Sequence, residues 1–142
     1  MQFEESKFVE SRKCLTHQAT LTMLQAAVAK AEEMGQPQCI VIVDASGEVL
    51  GEIRMTGSKY LSRKSALAKA RTAASIRNET TVIPEAVRPL IAAATDGHVT
   101  GLPGGLPVEL AGETLGGIGV GSGSGEQDIE VARAALLSIG IS

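Results

Sequence analysis

Glycine placement constrains this chain more than any other feature. Gly97, Gly101, Gly104, Gly105, Gly112, Gly116, Gly117, Gly119, Gly121, Gly123 and Gly125 crowd the last third of a 142-residue sequence that holds 16 glycines in all. Glycine weakens a strand and marks a place where something approaches the backbone closely. Gly116, Gly117 and Gly119 within one strand therefore require a tightly packed helix, a flat ligand or another subunit against them. The opposite scarcity sharpens the point. There is no Trp, and Tyr60, Phe3 and Phe8 are the only aromatics, so the core must be built from Ile, Val, Leu, Met and Ala. A chain so poor in aromatics lacks the stacking platforms of single-strand nucleic-acid binders. It also argues against an aromatic-lined pocket.

The length suits one domain. Residues 1–14 read as a polar N-terminal arm carrying both Phe, with a strap docking Phe3 and Phe8 on a neighbouring subunit as one reading and a frayed terminus as the other. Residues 15–142 read as a single domain. Thr16 caps a helix over 17–34 in which Leu21, Leu24, Val28 and Ala31 share a face, and Gly35 with Pro37 stops it. Cys39 to Val43 is a continuous β-branched run, the mark of a strand covered on both faces. The turn Asp44-Ala45-Ser46-Gly47 and a returning strand to Met55 complete a hairpin. A helix over 60–77 presents the small residues Ala66, Ala70, Ala73 and Ala74. Pro84 starts a turn and Pro89 a fresh helix. A second hairpin pairs 106–110 with 114–121, and a last helix over 126–139 begins with the acids Glu126 and Asp128 and ends at Gly140. This order is not the strict alternation of a parallel sheet. It describes an antiparallel sheet with helices on both faces.

Net charge is −3, so no basic field is available for a nucleic-acid backbone. Cys14 and Cys39 form neither a Cys-x-x-Cys motif nor a disulfide framework. No apolar run reaches transmembrane length and no signal core is evident, which leads us to expect a cytoplasmic protein that binds neither membrane nor nucleic acid. The Gly119–Gly125 run does not fit Gly-x-Gly-x-x-Gly, and no Gly-Lys-Ser/Thr follows it. His17 and His98 belong to no spaced cluster, so a dedicated metal site is not expected. Between Met55 and Asn78 there is no acid, while Lys59, Arg63, Lys64, Lys69, Arg71 and Arg77 are all present; Lys64 and Arg71 share a helix face. Such a stripe is a solvated helix face, a seat for a carboxylate-bearing ligand, or a match for an acidic patch on a sister subunit.

Four motifs now stand in order: Val43-Asp44-Ala45-Ser46-Gly47 with Arg54-Met55, Lys69-Ala70-Arg71-Thr72-Ala73, Pro103-Gly104-Gly105-Leu106-Pro107-Val108, and Gly125-Glu126-Gln127-Asp128 with Val131-Ala132. Together they resemble the GlcG/HbpS/PduO family from about Leu15 to Leu137. The resemblance implies an α/β class, with profilin-like α/β/α layers and a five-stranded antiparallel sheet flanked by helices, assembled into homo-oligomers. It also implies a small haem- or tetrapyrrole-binding accessory protein, in some cases of a catabolic operon. Under that reading His17 is the axial ligand of haem. Arg63, Lys64 or Arg71 meets the propionates, and the Pro103-Gly104-Gly105 loop lies at the cofactor. The alternative is a small catabolic enzyme, a lyase, isomerase or hydrolase, acting on a small organic acid. There the backbone N–H groups of the same loop polarise a carboxylate or carbonyl, while His98 or Glu126 moves the proton.

Overall fold

A computed structural model describes residues 6–141. Phe3 lies outside the described residues. The elements run α1 (His17–Glu33), β1 (Cys39–Asp44), β2 (Val49–Arg54), α2 (Leu61–Ile76), a single 3-10 turn (Thr80–Val82), α3 (Arg88–Ala94), β3 (Gly105–Leu110), β4 (Glu113–Gly121) and α4 (Gly125–Ser138). Local chemistry sets their ends. The Thr16 hydroxyl accepts from the Ala19 N–H at 3.1 Å and opens α1. Ser124 and Gln127 form a reciprocal capping box at the start of α4. Pro89 sits in the first turn of α3, where its missing N–H costs no helical hydrogen bond.

The strands form one antiparallel sheet in the order β2-β1-β4-β3. The sheet has four strands, not the five expected. The stretch between α3 and β3 does not become a strand because side chains satisfy its backbone. The Thr100 N–H donates to the Thr72 hydroxyl at 3.0 Å, the Leu102 N–H to the Thr100 hydroxyl at 3.1 Å, and the Thr80 hydroxyl to the Leu102 carbonyl.

Helices cover both faces. On one, Ile40, Ile42, Ile118 and Val120 pack with Met23, Ala27 and Ala31 of α1 and with Val131, Ala132 and Ala135 of α4, all fully buried. On the other, Cys39, Val41 and Val43 pack with Ala66, Ala70 and Ala74 of α2. Alternate residues of β1 thus feed two cores, as its unbroken apolar run requires.

The glycines of β4 explain how close the second layer comes. Cys39, Val41 and Val43 pair with Gly121, Gly119 and Gly117. A Cβ on Gly119 would collide with the Ala66 carbonyl oxygen and lie 2.5 Å from the Ala70 nitrogen. One on Gly117 would collide with the Ala70 carbonyl oxygen and lie 2.9 Å from the Ala74 nitrogen. The backbone of α2 therefore rests directly on the backbone of β4. Of the three readings of the strand glycines, tight helix packing accounts for Gly117 and Gly119.

Candidate functional site

The end of the sheet that carries the β1–β2 and β3–β4 turns bears a cleft of about 840 Å³. Three stretches wall it: Glu10–Lys13 of the arm, Ala45–Glu48, and Gly112–Thr114. The end of α2 contributes Arg71 and Arg77, and the loop after α3 contributes His98 and Val99. The wall is mostly polar, with Ala45, Ala74 and Val99 as its apolar parts.

Each wall is fixed by a specific interaction. Asp44 organises the first turn: its Oδ1 accepts from the Ser46 hydroxyl at 2.7 Å, the Ser46 N–H at 2.9 Å and the Glu48 N–H at 3.0 Å. The Ser46 hydroxyl bond, outweighing slight desolvation and helped by the backbone N–H groups, holds the Asp44 carboxyl below its usual pKa. The Arg71 Nε donates to the Gly47 carbonyl at 2.9 Å, tying α2 to that turn. The Lys13 N–H donates to the Glu113 carboxylate at 3.3 Å, laying the arm along the second turn.

His98 is the informative side chain. Its Nδ1 lies 2.6 Å from the Thr95 carbonyl oxygen. A carbonyl only accepts, so Nδ1 carries a proton, and in the neutral ring the Nε2 lone pair is left for another partner. An imidazole in that tautomer serves as a metal ligand or as a general base.

The residues expected from the sequence fall in several places. His98 and Arg71 share the cleft. Arg63 and Lys64 lie near the start of α2 and line a separate cleft with Tyr60. His17 is exposed in the first turn of α1, on the opposite face of the sheet from α2. The sheet thus separates His17 from Arg63 and Lys64. Glu126, exposed, lies in the first turn of α4 beyond one end of β4, whereas the His98 cleft is at the other. β4 spans roughly 27 Å at strand rise, so no acid–base pair of His98 with Glu126 forms within one site.

The Pro103-Gly104-Gly105 loop is built into the interior. A Cβ on Gly104 would lie 2.7 Å from the Val120 carbonyl, 2.8 Å from the Asp128 Cβ and 3.1 Å from the Lys69 Nζ. Pro103 touches Gly125 at the start of α4. The loop covers a buried ion pair that the sequence did not announce. Lys69 Nζ donates to Asp128 Oδ2 at 3.1 Å and to the Val120 carbonyl at 2.7 Å. The Gly123 N–H donates to Asp128 Oδ1 at 3.0 Å. Desolvation raises the Asp128 pKa against the attraction of Lys69 and the hydrogen bonds it accepts. Gln38, fully buried, lies alongside and helps to hold the Asp128 carboxylate, although among the described residues neither of its amide atoms meets a partner in strict hydrogen-bond geometry. Lys69 sits on the Ala66–Ala70 face of α2, so a cation amid small apolar residues was its one sequence signal. Nothing in the sequence linked it to Asp128. Among the described residues no group of three or more His, Cys, Asp or Glu is placed to hold a metal ion, and no helix is long and apolar enough to cross a membrane.

Residues 15–137 match the model of the family described as haem degrading protein HbpS-like. The chain belongs to this family. The chain is 34% identical over 137 residues to the corrinoid adenosyltransferase PduO of Citrobacter freundii, covering 93% of this chain and 41% of that protein. It therefore spans about two fifths of that relative's length. It is 35% identical over 127 residues to an uncharacterized 15.0 kDa protein of the dhaT–dhaS intergenic region of Citrobacter freundii, covering 86% of this chain and 89% of the relative. Among solved structures, a PduOC:heme complex superposes with a TM-score of 0.85 at 28% identity, over 92% of this chain and 98% of that one. HbpS superposes with a TM-score of 0.84 at 30% identity, over 98% and 99%.

Proposed function

We propose that this chain is a cytoplasmic, homo-oligomeric accessory protein that binds haem or a related tetrapyrrole in the turn-end cleft. His98 would hold the haem iron there, and Arg71 and Arg77 would meet its propionates. The observation that carries the reading is the tautomer of His98, whose Nδ1–H is spent on Thr95 while Nε2 is left for a metal at an 840 Å³ cleft. The donor set fits the group: one imidazole, cations for the carboxylates, and Ala74 and Val99 as apolar wall. Haem held there would supply ligand-binding and redox chemistry at its iron. The chain's own residues fix the imidazole, hold the propionates through Arg71 and Arg77, and close one side with the arm. The solved haem complex of a related chain supports the same ligand class. His17, the ligand expected from the sequence, is the competing axial position.

The polar wall favours a second reading, in which the cleft takes a small organic acid and His98 acts as general base. A haemin titration followed in the Soret region separates the two. The haem reading expects a saturable shift at one haemin per chain that small carboxylates do not displace. A spectrum that stays that of free haemin overturns it.

A further inference from the structure

A second cleft, of about 430 Å³, lies between α2 and the edge strand β2, on the sheet face away from α1 and α4. It follows from the glycines. Because α2 is seated on the β4 backbone, the β2 margin of that face carries no helix directly over it. Positions 60, 63, 64, 67 and 71 fall on one stripe of α2 at helical spacing, and this stripe overhangs β2. Tyr60, Arg63, Lys64 and Leu67 line the cleft, facing Glu52 and Arg54 of β2 above Val41.

The charge there is unbalanced. Three cations, Arg54, Arg63 and Lys64, share the cleft with one carboxylate, Glu52. Among the described residues none of the three cations forms an ion pair. The Arg63 guanidinium instead stacks 5.6 Å from the centre of the Tyr60 ring, which is 79% exposed. Val41 and Leu67 give the same cavity an apolar surface. We propose that this cleft binds a small monocarboxylate with an apolar body, its carboxylate among Arg54, Arg63 and Lys64 and its hydrocarbon on Val41 and Leu67. The site is independent of the tetrapyrrole reading, shares no residue with the His98 cleft and has about half its volume.

The chain supplies its own reporter. With one Tyr and no Trp, its tyrosine emission comes from Tyr60 alone. Octanoate, below its micellar range and at constant ionic strength, is expected to change that emission saturably. Arg63→Gln with Lys64→Gln is expected to weaken binding at least tenfold, and His98→Ala to leave it unchanged. Both substitutions are on exposed side chains, so the fold is retained. The proposal is overturned if octanoate gives no saturable change, if the double variant binds it as tightly, or if inorganic phosphate produces the same response. The haemin titration fails or succeeds separately.

Discussion

Replacing Gly119 with Ala tests the seating of α2 on the sheet. The added Cβ would collide with the Ala66 carbonyl oxygen, lie 2.5 Å from the Ala70 nitrogen and 3.0 Å from the Ala66 carbonyl carbon. All three are backbone atoms of α2, so no rotamer change relieves the overlap. Ordinary contact requires the helix to rise by about 1 Å, and a gap of that size forfeits a quarter to a half of each dispersion contact beneath it. The fully buried Ala66, Ala70 and Ala73 lie on this helix, so the whole layer is affected. Overpacking of this kind costs about 1–3 kcal/mol when side chains can adjust; with backbone against backbone we expect roughly 3 kcal/mol or more, a fall in Tm of about 10 °C. Gly112→Ala is the control. Gly112 has φ +79° with nothing within 4 Å of an added Cβ, so only conformational strain of about 1 kcal/mol applies. Urea and thermal unfolding followed by far-ultraviolet circular dichroism measure both. A Gly119→Ala loss no larger than that of Gly112→Ala would refute the packing argument. So would rescue of Gly119→Ala by Ala66→Gly, because the clash is with a backbone oxygen that Gly retains.

Other perturbations probe the remaining interactions. Lys69→Met or Asp128→Asn alone leaves a buried polar or charged partner and should cost about 3–5 kcal/mol, while Lys69→Met with Asp128→Leu should recover most of that; singles below 1 kcal/mol in a urea double-mutant cycle would contradict the pair's burial. Asp44 titrates below the usual 3.8 when folded, so its stabilisation is present above that value and lost as pH falls through the folded pKa. Asp44→Asn should therefore flatten the acid limb of the stability profile, and an unaltered limb would count against the turn assignment. Asp128 works in the opposite sense: its folded carboxyl titrates above 3.8, so its contribution declines as pH rises between the two values. Ser124→Ala removes the capping box of α4 and should cost about 1 kcal/mol, with faster amide exchange at Gln127; unchanged exchange there would refute the capping role.

The elements were legible where local chemistry fixes them. Thr16, Gly35 and Pro89 set helix ends, and the apolar run of β1 announced a strand buried on both sides, whereas the Ser124–Gln127 capping box of α4 emerged only from the structure. The fifth strand failed because Thr72, Thr80 and Thr100 satisfy the 100–102 backbone from side chains distant in sequence or within the loop itself. No periodicity records such bonds. The glycines marked close approach correctly but not its agent. In β4 that agent is α2, and in the Pro103-Gly104-Gly105 loop it is the Lys69–Asp128 pair. The His98 cleft was half visible. Arg71 and His98 were singled out, yet the arm and two turns that wall it meet only through the antiparallel register of the sheet.

The central claim is that His98 is the position through which the turn-end cleft holds a tetrapyrrole. Its most direct test is the absorption spectrum of one-to-one haemin complexes of the His98→Ala and His17→Ala variants beside the unaltered chain. Both imidazoles are exposed, so neither substitution threatens the fold. The account predicts that His98→Ala loses the shifted Soret band while His17→Ala keeps it. Loss in His17→Ala with retention in His98→Ala would contradict it.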